Sequence, residues 1–215
     1  MVTIYDVARI AEVSTATVSC VISKRKKVKK STEEKVLKAI EELGYIPNTI
    51  AQSLNTRKTK NIGFIIPTII SPAFSEIVES AEDIINKYKY SLYLCNSENN
   101  IDLERSYIIH LGKKWVDGIL VTTDNIKTIE FLKGLAIDFV VVNRDFNEKG
   151  IDSVILNNEE LSYQAVKYLI KTGCKRIAII NGPKKIQTSI KRYTGYKKAL
   201  DEHNLFNEEL VFFGK

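Results

Sequence analysis

The hydrophobic period of this chain changes near residue 60, and that change limits what it can fold into. Before it, apolar residues recur at i, i+3 and i+4 in short runs; after it, blocks of consecutive apolar residues alternate with longer amphipathic stretches. A chain that passes from an all-helical pattern to strand-and-helix alternation calls for two separate cores. At 215 residues it is long enough for a small one and a larger one.

In the second part, IGFIIP (62–67), SLYLC (91–95), GILVT (118–122), FVVVN (139–143), SVILN (153–157) and RIAIIN (176–181) read as buried strands. Between and after them the pattern predicts helices over 73–88, 103–113, 126–135, 159–172 and 188–204, and a last strand over 210–213. Such alternation specifies an α/β fold whose parallel sheet is covered on both faces.

The first part predicts three helices. Thr3 is placed to cap one carrying Ile4, Val7, Ala8 and Ala11, which ends near Glu12. Ser14 caps a second whose apolar face is Val18, Val21 and Ile22, so Thr15, Ala16, Ser19 and Cys20 face away from the core. The short gap between them is that of a helix-turn-helix. Ser31 and Glu34 form a capping box for a third, with Val36, Leu37, Ile40 and Leu43 as its buried stripe and Gly44 as its stop. Pro47 then opens a brief helical segment with Ile50, Ala51 and Leu54 on one face, too short to be stable alone. The domains are therefore expected at 1–46 (headpiece), 47–60 (hinge and linker), 61–158 (first lobe) and 159–215 (part of a second).

Charge separates the parts as sharply as period does. Residues 1–60 carry twelve Lys and Arg against six Asp and Glu, while residues 61–215 carry twenty of each. An excess confined to one module is the signature of a polyanion partner, and the basic residues are not laid opposite an apolar helix face as a membrane binder requires. The run KRKKVKK (24–30) directly follows the second helix, where it is placed for phosphate contact. Three separated cysteines imply neither a disulfide frame nor a zinc site, and no apolar run is long enough to span a bilayer. A soluble cytoplasmic protein with no cofactor and no metal is expected. His110 and His203 fall in helices without a nucleophile or carboxylate partner, so an enzyme is the weakest reading.

The stretch TIYDVARIAEVSTATVSCVIS, the later STEEKVLKAIEELGYIPN and AQSL together resemble the DNA-binding headpiece of the lactose-repressor/galactose-repressor (LacI/GalR) family of bacterial transcription regulators. WVDGILV (115–121), ENNIDLERSY (98–107) and the segment from GPKK to KRYTGY (182–196) resemble that family's ligand-binding signatures. The resemblance implies a helix-turn-helix headpiece with a hinge helix, followed by a doubly wound sheet like that of periplasmic sugar-binding proteins. It implies that Thr15, Ala16 and Cys20 read base edges in the major groove and that Tyr5, Thr17 and Ser19 contact the backbone. Thr3, Ser14, Lys24, Lys29, Asn48, Ala51 and Asn55 complete the implied DNA surface, with Leu54 wedged into the minor groove. Phe74, Thr188 and Arg192 match positions that hold a small effector, a sugar or a nucleobase. A homodimer on a near-palindromic operator in the bacterial nucleoid is the implied assembly.

Two departures from the family pattern matter. Where the family commonly has Arg this chain has Cys20, which forgoes a bidentate guanine contact worth roughly 1–3 kcal/mol of discrimination. At the turn position usually held by Gly or Asn stands Glu12. The resemblance also stops before the rest of the second lobe, which predicts a C-terminally truncated regulator. A decayed regulator, reduced to ligand binding or inactive dimerisation, is the alternative to a working repressor.

Overall fold

A computed structural model describes residues 2–24, 26–46, 58–146 and 148–214. The expected hinge, with Asn48, Ala51, Leu54 and Asn55, lies outside the described residues. The chain divides into two compact units, Met1–Thr59 and Lys60–Lys215.

The first unit is built from α1 (Ile4–Ile10), α2 (Thr15–Ser23) and α3 (Lys30–Leu43). Val7, Ala8, Ala11, Val18, Val21, Val36 and Ala39 form its buried centre, with Ile4, Val13, Ile22, Val28, Ile40, Leu43 and Tyr45 packed around them. The Asp6 carboxylate accepts from both the N–H and the hydroxyl of Thr3, at 3.0 and 2.7 Å, which holds the start of α1 and keeps the carboxyl below its ordinary range. Gly44 closes α3 in the left-handed region at φ 58°, and the N–H of Tyr45 reaches back to the Ile40 carbonyl.

Two expectations for α3 are corrected. Its cap is Lys29, whose carbonyl takes the N–H groups of Thr32 and Glu33, so Ser31 lies inside the first turn and the box with Glu34 does not form. Leu37 is 51% exposed while Ala39 is buried. The stripe centres on Val36, Ile40 and Leu43, and Leu37 sits about 100° round the helix from Val36.

The second unit holds a five-stranded parallel sheet in the order β2-β1-β3-β4-β5. Its strands are β1 (Asn61–Ile66), β2 (Ser91–Asn96), β3 (Gly118–Val121), β4 (Phe139–Val142) and β5 (Asp152–Val154). The crossover helices are α4 (Pro72–Lys87), α5 (Ile101–Lys113) and α6 (Ile126–Lys133). Register sets Ile65 beside both Cys95 and Val121, and Val121 beside Val141. That row lies in one core with Ile108 and Leu111 of α5 and Ile129 and Leu132 of α6. The opposite face is covered less fully than the alternation predicts. Phe64 and Ile66 are buried there, but α4 contributes only half-buried side chains, and Leu94 of the edge strand, beside Phe64, stays exposed.

A second core follows. α7 (Asn158–Lys171) and α8 (Gln187–Asp201) pack beside a parallel pair formed by β6 (Ile179–Asn181) and β7 (Val211–Phe213). Val166, Ile177, Tyr196, Ala199 and Leu200 are its buried residues, and the Tyr196 hydroxyl donates to the Ile177 carbonyl at 2.8 Å. The strands expected at 153–157 and 176–181 shrink to three residues each. Ile155 and Leu156 beyond β5 are 46% and 55% exposed, so no apolar layer holds them extended.

The helix pair α7 and α8 crosses at Gly195. A Cβ there would stand 2.0 Å from the Glu159 carbonyl oxygen and 2.9 Å from the Tyr163 nitrogen, both backbone atoms that no rotamer change can clear. Gly195→Ala is expected to cost at least about 3 kcal/mol in urea denaturation, at the upper end of overpacking changes, because the helices must separate.

Candidate nucleic-acid interface and ligand cleft

The link between α1 and α2 turns on a strained residue. Glu12 lies at φ 56°, a left-handed conformation that costs a side-chain-bearing residue about 1 kcal/mol, and the small core around Val7, Ala8 and Val18 holds it there. The Val13 N–H then donates to the Ala8 carbonyl at 3.0 Å, and Ser14 Oγ accepts the Thr17 N–H at 3.1 Å to start α2. With Val18 and Val21 buried, α2 turns Ala16 and Ser19 to solvent and leaves Thr15, Thr17 and Cys20 half exposed. The Thr17 hydroxyl stands 2.9 Å from that of Ser14, so it also takes part in the cap. Thr3 and Tyr5 of the same unit are exposed, the tyrosine to 74%.

Helix α2 ends at Lys24, itself left-handed at φ 52°. Cys20, Val21, Lys24, Lys26, Lys27, Val28 and Glu33 line a hollow of about 220 Å³ beside this end. Lys24, Lys26, Lys27 and Lys29 are all exposed. Small, neutral, outward side chains flanked by cations suit a helix laid in a groove between phosphates.

In the second unit, parallel pairing brings the carboxyl ends of β1 to β5 to one edge. β1 lies between β2 and β3, and a crevice opens where strand order reverses. Polar residues gather at this edge: Asn96, Ser97, Thr122, Thr123, Asp124, Asn143, Arg144 and Asp145. Arg144 Nε donates to Asp124 Oδ1 at 2.6 Å and its Nη1 to the Asn143 carbonyl at 2.8 Å, with its side chain only 7% exposed. Among the described residues, Asn96 Oδ1, Thr122 Oγ1 and Asn143 Oδ1 are buried without a hydrogen-bond partner, and they stand at the ends of three different strands. A cavity of about 450 Å³ at the same edge is lined by Asn99, Ile101, Glu104, residues 123–126 and Ile186.

Glu104 is the buried acid of this edge. The hydroxyls of Thr123 and Thr128 donate to its Oε2 at 2.9 and 2.5 Å. Burial pushes its pKa up; the two hydroxyl bonds oppose the rise and the neighbouring Asp124 charge adds to it.

Of the expected ligand residues, Thr188 and Arg192 lie one turn apart on α8, the first buried and the second exposed. Arg192 Nε donates to Asn158 Oδ1 at 2.8 Å, while Asn157 caps α7 by accepting the Glu160 N–H. Phe74 is half buried in the first turn of α4, on the connection that leaves the carboxyl end of β1. The pair Asp124–Arg144, the acid Glu104 and the residue Asn143 were absent from the sequence-based set. The strand-end rule of parallel sheets marks Asp124, Asn143 and Arg144, whereas Glu104, inside α5, carries no such signal. His110 and His203 satisfy helix neighbours, at Ser106 Oγ (3.4 Å) and the Ala199 carbonyl (2.9 Å). No group of three or more metal-ligating side chains occurs among the described residues, and no helix there is long and apolar enough to cross a membrane.

Residues 3–48 match the family of bacterial regulatory proteins, lacI family, and residues 59–214 match the periplasmic binding proteins and sugar binding domain of LacI family. The chain belongs to the LacI family. Among its LacI-family relatives, the HTH-type transcriptional repressor PurR of Histophilus somni is 43% identical over 213 residues, covering 95% of this chain and 62% of the relative. The ribose operon repressor of Halalkalibacterium halodurans is 40% identical over 207 residues, with 96% and 62% covered. The chain thus spans about three-fifths of the length of these relatives. Among solved structures, the lac repressor dimer bound to operator and the anti-inducer ONPF superposes with a TM-score of 0.87 at 25% identity, over 100% of this chain and 66% of that one. The transcription regulator CcpA of Lactococcus lactis gives 0.63 at 36% identity, over 72% and 58%.

The acid at the cleft edge yields a pH test. A carboxyl whose folded pKa is raised binds more protons folded than unfolded, so its contribution to stability falls as pH rises above the ordinary value of 4.5. Glu104→Gln removes that loss. In urea denaturation the variant is expected to gain on wild type from pH 4 to pH 8, and a pH-independent difference would contradict the assignment.

Proposed function

We propose that this chain is a sequence-specific DNA-binding transcription regulator, acting as a repressor. It reads a near-palindromic operator as a homodimer in the bacterial cytoplasm and responds to a small effector bound at the strand-end cleft. The observation that carries this reading is the outward face of α2: Thr15, Ala16, Ser19 and Cys20 presented beside Lys24, Lys26, Lys27 and Lys29 on a helical unit that matches a DNA-binding family. Thr15, Ala16 and Cys20 meet base edges. Thr3, Tyr5, Ser14, Thr17, Ser19, Lys24 and Lys29 meet phosphates and sugars. Asn48, Ala51, Leu54 and Asn55 act at the operator centre. The PurR relative and the ribose operon repressor carry repressor in their names, and the lac repressor was solved as a dimer on its operator.

For the effector, the reading rests on Phe74, Thr188 and Arg192 around a polar strand edge. Hydroxyl-rich ligands suit it, since unpaired acceptors on Asn96, Thr122 and Asn143 call for donors, direct or through water. Hence a sugar is preferred to a nucleobase. Regulation follows if the ligand alters how the two cores of the second unit meet, and so how two headpieces are spaced.

Fluorescence anisotropy against a selected operator duplex tests the DNA reading. Tight binding with a steep salt slope is expected, and replacing both Lys24 and Lys29 by Ala should flatten that slope by about 4, roughly 0.9 for each phosphate contact that the two protomers lose. Binding no tighter than to random duplex would overturn it. Selection from randomised operators tests the reading helix: Cys20→Arg should gain a preference for guanine at one half-site position of roughly 1–3 kcal/mol, whereas an unchanged consensus removes Cys20 from the base-reading set.

A further inference from the structure

The two cores of the second unit are joined across Asp145, in the connector between β4 and β5. Gln187, the first residue of α8, meets it with both ends of its amide. Gln187 Oε1 accepts the Asp145 N–H at 3.1 Å, and Gln187 Nε2 donates to the Asp145 carbonyl at 2.5 Å. One turn along the helix, Lys191 Nζ stands 3.9 Å from the Asp145 carboxylate. A side-chain amide that fills a backbone donor and acceptor together imitates a strand partner, and only one amide orientation does so. Both bonds are partly buried, so separation leaves groups of each core to be rehydrated. The more exposed ion pair adds little by itself.

Gln187 and Lys191 are the immediate neighbours, on the same two turns, of Thr188 and Arg192. A ligand held by the second pair therefore acts on the element that carries the first. Ile186, one residue earlier, lines the cavity with Asn99, Glu104 and Asn125, so the opening of that cavity follows the position of this helix end.

We infer that Gln187, supported by Lys191, is a latch that fastens the second core to the carboxyl edge of the five-stranded sheet. Widening of the cavity beside Ile186 then requires release of Gln187 from Asp145. The regulatory meaning of the latch rests on the effector reading given above; its existence does not.

Amide hydrogen exchange of the full chain, followed by NMR without ligand or DNA, tests it. The reporters are Asp145, whose N–H is held by Gln187, and Ile186, whose N–H donates to the Pro183 carbonyl within its own loop at 3.1 Å. In Gln187→Ala both are expected to exchange about tenfold faster, while the amides of Tyr196 and Leu200 keep their protection. Acceleration at Asp145 alone, or at neither, overturns the latch, because a local bond would not free the Ile186 loop. Should Tyr196 and Leu200 lose protection as well, Gln187→Glu decides: it retains the acceptor for the Asp145 N–H and loses the donor. Faster exchange at Ile186 with α8 protected then supports the latch, and unchanged exchange refutes it. Failure of the wild type to bind an operator sinks the proposed function and leaves this result standing.

Discussion

Parallel strand pairing is the constraint on which the second unit depends. Five strands running the same way must end at the same edge, and each return must cross over: α4, α5 and α6 make three of these crossings, and residues 143–151 make the fourth without a described helix. Apolar residues such as Ile65, Val121 and Val141 are consumed in the middle of the sheet, packed on Ile108, Leu111, Ile129 and Leu132. Polar residues are displaced to where the strands stop. The gathering of Asn96, Thr122, Asp124, Asn143 and Arg144 at one place is thus a product of topology. Because strand order reverses at β1, the helices that follow β1 and β3, α4 and α6, lie on opposite faces and leave an opening there.

The first unit depends on something smaller. A handful of valines and alanines closes its core, and that packing holds Glu12 in a backbone conformation that it resists. With the turn so fixed, Ser14 is placed to cap α2, and Val18 and Val21 lock the rotation of that helix. Which residues face outward is decided by this chain of steps, not by their own preferences. Thr15, Ala16 and Ser19 have little tendency to favour any particular partner; the packing of Val18 and Val21 alone sets their direction.

Much of this was legible in the residues alone. The helices α4 to α8 lie within a few positions of the ranges that their period predicts, since long periodic stretches declare themselves, whereas the single 3-10 turn at Glu208–Leu210 does not. Short strands did not: at 153–157 the apolar letters SVIL promised a strand that only Val154 and its two predecessors form. The missing information is whether another layer covers those side chains, and period is silent on that. Leu37 failed for a related reason, because one apolar residue off the stripe reads the same as one on it. Thr188 and Arg192 are singled out by their place in a family pattern, whereas the pairing of Arg144 with Asp124 and of Gln187 with Asp145 joins residues 20 and 42 positions apart. Contacts across such distances depend on the crossovers, so they emerge only once the sheet is assembled.

The close crossing at Gly195 has a mechanical consequence. Two helices in contact backbone to backbone have no compressible side-chain cushion between them, so they move as one stiff piece. α8 extends for about 22 Å at the usual rise per residue, with Gln187 at one end and Asp201 at the other. A small rotation at the cleft end is therefore delivered undiminished along α7 and to its far terminus near Lys171. Such a pair works as a lever arm, converting a shift of a fraction of an ångström at one end into a displacement on a surface well removed from it.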